Sequence, residues 1–110
     1  MSVTASAQCP KSAKVNENVT LMGSHSWAVE NKSDKPVKVT VEVRIEDNDK
    51  HRFSQSDDHV IKAHDTLKGK SSSRLVAAYT KPLTVQLKAT TRVTGGISET
   101  RENSCSFKVQ

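Results

Sequence analysis

The chain has 110 residues, a net charge of +5 and a hydrophobic fraction of 34%, which fits one domain with a thin core. Valine dominates the apolar set, 13 against 5 Leu and 3 Ile, with 10 Thr beside them, a composition that suits pleated strands better than a helical bundle. No apolar run approaches the roughly 18 residues that a membrane helix needs, and repeated apolar strands argue against a disordered chain.

Residues 1–10 read as a flexible segment ahead of a single sandwich domain at 11–110. The first eight residues lack a basic stretch and an apolar stretch, so they are no signal peptide themselves. Ala5-Ser6-Ala7 resembles the small-residue end of a cleavage site. The expectation is an exported protein, periplasmic or secreted, whose signal peptide has been removed. Val15, Val19 and Leu21 share a parity and suggest a first strand. Trp27 and Val29 suggest a second, with His25 at a half-buried rim. Asn18-Val-Thr and Asn31-Lys-Ser are glycosylation acceptor patterns of low specificity. Asn31 to Pro36 is a loop by composition.

Residues 37–45 read VKVTVEVRI. Five apolar residues alternate with polar ones, the period of a strand with one face buried. A polar turn at 46–50 follows. Residues 47–58 read as a charged loop carrying Arg52 and Phe53. Ile61, Ala63 and Leu67 suggest a short strand, and 65–73 a polar loop around Gly69. Residues 75–79 form an unbroken apolar run of ambiguous facing. Lys81-Pro82 breaks the chain before Leu83–Thr94, whose alternation is as clear as that of the first long strand. Gly95-Gly96 fits a tight hairpin, because glycine supplies the positive φ such turns demand. Cys105, Phe107 and Val109 alternate and point inward.

About seven or eight strands with turns between them predict an all-β, two-sheet antiparallel sandwich, with a small closed barrel as the alternative. The layer architecture resembles the immunoglobulin-like and fibronectin-III-like superfold. The resemblance implies a scaffold and no particular function. The cysteines, Cys9 and Cys105, are terminal rather than internal, and Trp27 precedes the long Val-rich strand, unlike the pattern of immunoglobulin domains. Terminal strands of a sandwich often lie close together, so a Cys9–Cys105 disulfide is expected, with two free thiols as the alternative.

Candidate chemistry is sparse. His25, His51, His59 and His64 show no metal-ligand spacing. No serine sits in a nucleophile elbow, and no phosphate loop is present, so a non-enzymatic protein with no metal or cofactor is expected. Four aromatics without an RNP-type string argue against nucleic acid. The favoured role is binding another protein: an envelope component, a host protein or an inhibited enzyme. Arg52, Phe53, Lys88 and Arg92 are the first candidates. Two alternatives stay open. One is a structural subunit of a larger assembly. The other is a binder of anionic glycan or lipid surfaces through residues 60–94, where Lys62, Lys68, Lys70, Arg74, Lys81, Lys88 and Arg92 meet one acid, Asp65. Charge alone implies a weak, salt-sensitive attraction to polyanions.

Overall fold

The computed structural model describes residues 1–110, and every regular element in it is a strand. Strands β1 (Ser2–Gln8), β3 (Val19–Glu30) and β6 (Thr66–Ala77) form a three-stranded sheet in the order β1-β3-β6. Strands β2 (Ser12–Ala13), β8 (Glu99–Val109), β7 (Leu83–Thr94), β4 (Val37–Asp47) and β5 (Arg52–Ile61) form a five-stranded sheet in the order β2-β8-β7-β4-β5. All pairings are antiparallel except the two-residue contact of β2 with β8. The sheets pack face to face into a sandwich. The molecule is 56 Å long and 17 Å across, because its long strands share one axis.

The segment expected to be flexible is a strand. Residues 2–8 pair along their whole length with residues 22–28 of β3. The reason lies in small-residue alternation: Val3, Ala5 and Ala7 face the core, while Ser2, Thr4, Ser6 and Gln8 face out. Ala5-Ser6-Ala7 therefore sits in the middle of a paired strand. Two expected loops are also strands. Arg52 and Phe53 open β5 rather than a loop, and Gly69 lies within β6 rather than a turn. The strand expected near residues 61–67 is instead the turn between β5 and β6, where His64 adopts a φ of 59°.

Inside, the core divides in two. One half gathers Leu21, Ile45, Tyr79, Val85, Leu87 and Phe107, with Phe53 and the Cys9–Cys105 disulfide against it. The other half is built on Val3, Val29, Val39, Val41, Val43, Ile61 and Val93, with Trp27 at its side. Between them lies a polar waist. His25, expected at a rim, is only 2% exposed and sits at the centre of the sandwich. Gly23 stands beside it, where a β-carbon would come within 2.5 Å of Ile45 Cγ2, so the sheets approach too closely for a side chain. Trp27 lies over its cross-strand partner Gly69 and fills the space a side chain would take.

The half with the aromatics is sealed at its end. The Asp47 carboxylate accepts hydrogen bonds from Tyr79 Oη at 2.6 Å, His51 Nδ1 at 2.9 Å and the amides of Asp49 and His51. Burial works against that charge, but these donors outweigh it and hold the carboxyl below the usual range. The same burial and the Asp47 charge raise the Tyr79 phenol. Asn31 anchors the opposite end. Its Nδ2 donates to Lys35 O, Ile61 O and Lys62 O, so the side chain of this glycosylation pattern is already committed.

Candidate anion-binding face

The sequence of β1 alternates small polar residues with apolar ones, and β3 carries serines at every second position from Ser24 to Ser26. Pairing places these on one surface. Across the outer face of the three-stranded sheet run four rungs: Ser2–Ala28–Lys68, Thr4–Ser26–Lys70, Ser6–Ser24–Ser72 and Gln8–Met22–Arg74. Of these 12 positions, 6 are hydroxyls, 3 are cations and none is acidic. The central residues are short, so the face is hollowed along its middle. A shallow depression of about 570 Å³ is lined by Thr4, Ser6, Ser24, Ser26, Lys70 and Ser72. A second, of about 350 Å³, continues it past Ser2, Ala28 and Lys68.

Lys68, Lys70 and Arg74 stand along β6, a free edge of the sheet. Residues on a strand rise about 3.3 Å each, so the first two cations are about 7 Å apart and the third about 13 Å further on. All three are exposed and none makes an ion pair. Within the floor, Thr4 Oγ1 and Ser26 Oγ hydrogen-bond across the strands, and Gln8 Nε2 donates to Ser24 Oγ at 3.1 Å. Each hydroxyl keeps capacity for a further partner, since it offers one donor and two acceptor sites.

The other candidates lie elsewhere. Lys88 and Arg92 belong to the outer face of the five-stranded sheet. Lys88 Nζ is 3.4 Å from Glu46 Oε1, and Arg92 stands directly across from Glu42 on β4. Arg52 is across from Glu46. Lys38 pairs with Asp58 at 3.4 Å. The Thr40 hydroxyl and the Lys38 ammonium hold the Asp58 carboxyl below its ordinary value. Charges of both signs thus interleave on that face. Phe53 turns inward and packs on the core as a half-buried lid. The residues 60–94 therefore do not form one patch: the structure puts Lys68, Lys70 and Arg74 on one outer face and Lys88 and Arg92 on the other.

Beneath the hollowed face runs a buried hydrogen-bonded chain. Thr91 Oγ1 donates to Thr4 O at 2.8 Å, so it accepts from His25 Nδ1–H, also at 2.8 Å. His25 Nε2 is then the acceptor for the Ser73 hydroxyl at 2.9 Å. The order Ser73–His25–Thr91–Thr4 fixes the neutral tautomer and rivets the two sheets together. A serine hydroxyl on a histidine nitrogen has the spacing of a nucleophile and its base. Ser73 is 1% exposed, however, and this pair is closed to any substrate.

The contribution of β1 and β3 to the face escaped the sequence reading. The parity of Ser2, Thr4, Ser6 and Gln8 against Val3, Ala5 and Ala7 carries that signal.

No protein-family model matches the chain, and no curated protein matches it. Among solved structures it is similar to a protein from Archaeoglobus fulgidus, with 13% identity over 100% of this chain and 97% of that one, at a TM-score of 0.49. At that level of likeness no function passes between them.

Proposed function

We propose that the chain is a non-enzymatic, exported binding module that takes an anionic polymer on the outer face of its three-stranded sheet. One observation carries this reading: three exposed cations stand unpaired along a hollowed face whose four central rungs hold no acid, its one glutamate, Glu30, lying at the next rung beyond Ala28 and Lys68. The remaining candidate cations, Lys88, Arg92 and Arg52, sit on the opposite face directly across from Glu46 and Glu42, where each has an acid as its neighbour. A patch of one sign attracts its counterpart at a distance, and neutralised charges do not. Phe53 packs on the core as a half-buried lid, so it offers a protein partner no exposed aromatic anchor. The disulfide favours an oxidising compartment, hence export.

Binding to polyphosphate, a polymer of charge without sugar, tests the reading. Wild type should bind at low salt, with log affinity falling linearly against log salt over about three contacts. Lys68→Glu/Lys70→Glu/Arg74→Glu should abolish binding. Arg52→Glu/Lys88→Glu/Arg92→Glu changes the net charge by the same amount and should leave affinity within about threefold, as expected where neighbouring acids already screen those cations. Equal loss in both variants would mean that only net charge matters, and the face would have no role.

A further inference from the structure

We infer that the polymer held on this face is an anionic polysaccharide, lying along the strands with its sugars on the hydroxyl floor and its charges on β6. The inference rests on the anion-binding reading above and narrows it to one chemical class.

The face is divided lengthwise into two kinds of recognition. Its cations are confined to the β6 edge, while β1 and β3 beside them present Ser2, Thr4, Ser6, Ser24, Ser26 and Gln8. Neighbouring strands are about 4.8 Å apart, so the hydroxyl floor runs parallel to the line of cations at a distance of one or two strands. A ligand that satisfies both must carry anionic groups along one side and hydrogen-bonding groups along the other. Hydroxylated sugar rings bearing carboxylates or sulfates meet that requirement. A short polar side chain can donate to or accept from a sugar hydroxyl, and cations take the acidic substituents. Small floor residues leave a trough in which a ring can sit, where lysines or glutamates would fill it.

The other polyanion classes fit less well. Single-stranded nucleic acid is held by stacking on exposed aromatics. None stands among the 12 rung positions: Tyr79 and Phe107 are buried, Phe53 packs on the core, and Trp27, the one aromatic lining the second depression, is half-buried against the valine half of the core and covers Gly69. A lipid surface calls for apolar side chains that enter the acyl boundary. Met22 is the one large apolar residue among the 12 rung positions.

The experiment compares heparin with polyphosphate on the full chain, using two floor variants that keep every cation. Ser24→Ala/Ser26→Ala/Ser72→Ala removes hydroxyls without filling the trough. Ser24→Tyr fills it with a good strand former. A thermal melt of each checks that the fold is intact. Wild type should prefer heparin. Both variants should lose about tenfold for heparin, the worth of one or two net hydrogen bonds, and stay within about twofold for polyphosphate. Equal binding of both polymers, unaffected by the floor variants, would overturn the polysaccharide inference and leave the anion-binding reading standing. Absence of binding to either polymer by wild type would overturn the reading beneath it. Tighter binding to single-stranded DNA, or to vesicles of anionic phospholipid, than to heparin would also overturn the inference.

Discussion

The two halves of the core are built from different residues and end in different ways. The half around Tyr79 and Phe107 holds three of the four aromatics, and rings at 71° and 72° pack Tyr79 between Phe107 and His51. Its end is closed by the Asp47 turn, by the disulfide and by backbone bonds from Val15 to Gln110 and from Asn16 to Tyr79. The valine half has β-branched side chains and no aromatic plug. Its end opens into a cleft of about 450 Å³ lined by Met1, Val29, Val37, Val39, Ile61 and Ile97 among others. A sandwich with this lean a composition cannot seal both ends with large side chains. Stability is therefore concentrated at one end, where directional bonds and a covalent link add to burial. The hydroxyl trough lies over the waist between the halves.

The largest expected effect falls on the sealed half. The disulfide closes a loop with a sequence separation of 96, and in the chain-entropy model this is worth about 4–5 kcal/mol. Cys9→Ala/Cys105→Ala should lower the denaturant midpoint by a corresponding amount, and β1 should lose amide protection ahead of β7. A loss under about 1 kcal/mol would show that the reduced chain keeps much of the constraint. Next comes Tyr79→Phe. It deletes the phenol that donates to the buried Asp47 carboxylate and keeps the ring packing. The cost should be about 2 kcal/mol by chemical denaturation, since a charged acceptor loses one donor and stays buried. No change would mean that His51 and the turn amides satisfy Asp47 unaided.

How much of this was legible follows from which strands are covered on one face. β4 and β7 are central in the five-stranded sheet, with one side on the core and one in water, so their alternation in sequence is clean. β5 and β6 are edges, and the narrower sheet does not cover β5. Residues 54–58 are all exposed, including Gln55 and Asp57 on the parity that faces inward elsewhere. With both faces wet the period vanishes, and a strand reads as a loop. Lys68, Lys70 and Arg74 were legible as cations, but their common face was not, because Gly69 and Ser71–Ser73 disguised β6 as a turn. β1 was missed for another reason: its inward residues are Val3, Ala5 and Ala7, too small for a strong apolar signal. The disulfide was legible from its terminal cysteines. His25 was not, since a histidine in sequence does not disclose the Ser73 and Thr91 that complete its bonding.

The waist gives a pH test of the join between the halves. His25 is neutral in the fold, and burial lowers its pKa from 6.5. The unfolded chain therefore takes up a proton first as pH falls. The contribution of His25 is complete above pH 6.5 and declines below it, with a slope of at most about 1.4 kcal/mol per pH unit for one proton. In the background of His25→Gln, which can still bond Ser73 and Thr91, that part of the slope should disappear. An unchanged slope between about pH 6.5 and 5 would show that His25 does not set it, since Asp47 and Asp58, also held below their ordinary value of 3.8, give up their contribution only at lower pH.

The smallest effect belongs to the open end. Ile97 is 41% exposed at the mouth of the cleft, in the turn after Gly95 and Gly96. Ile97→Ser removes an apolar side chain that is already about two-fifths in water, and stability should change by about 1 kcal/mol or less. The same exchange at Leu87, fully buried in the sealed half, should cost several times more: shortening a core leucine to alanine alone costs about 2–5 kcal/mol, and a buried hydroxyl adds to that. If Ile97→Ser instead costs more than about 1 kcal/mol in a denaturant titration, the residue is closing the valine half in solution. The two ends would then differ in the kind of seal, aliphatic against aromatic and covalent, and the cleft would be a packed cap.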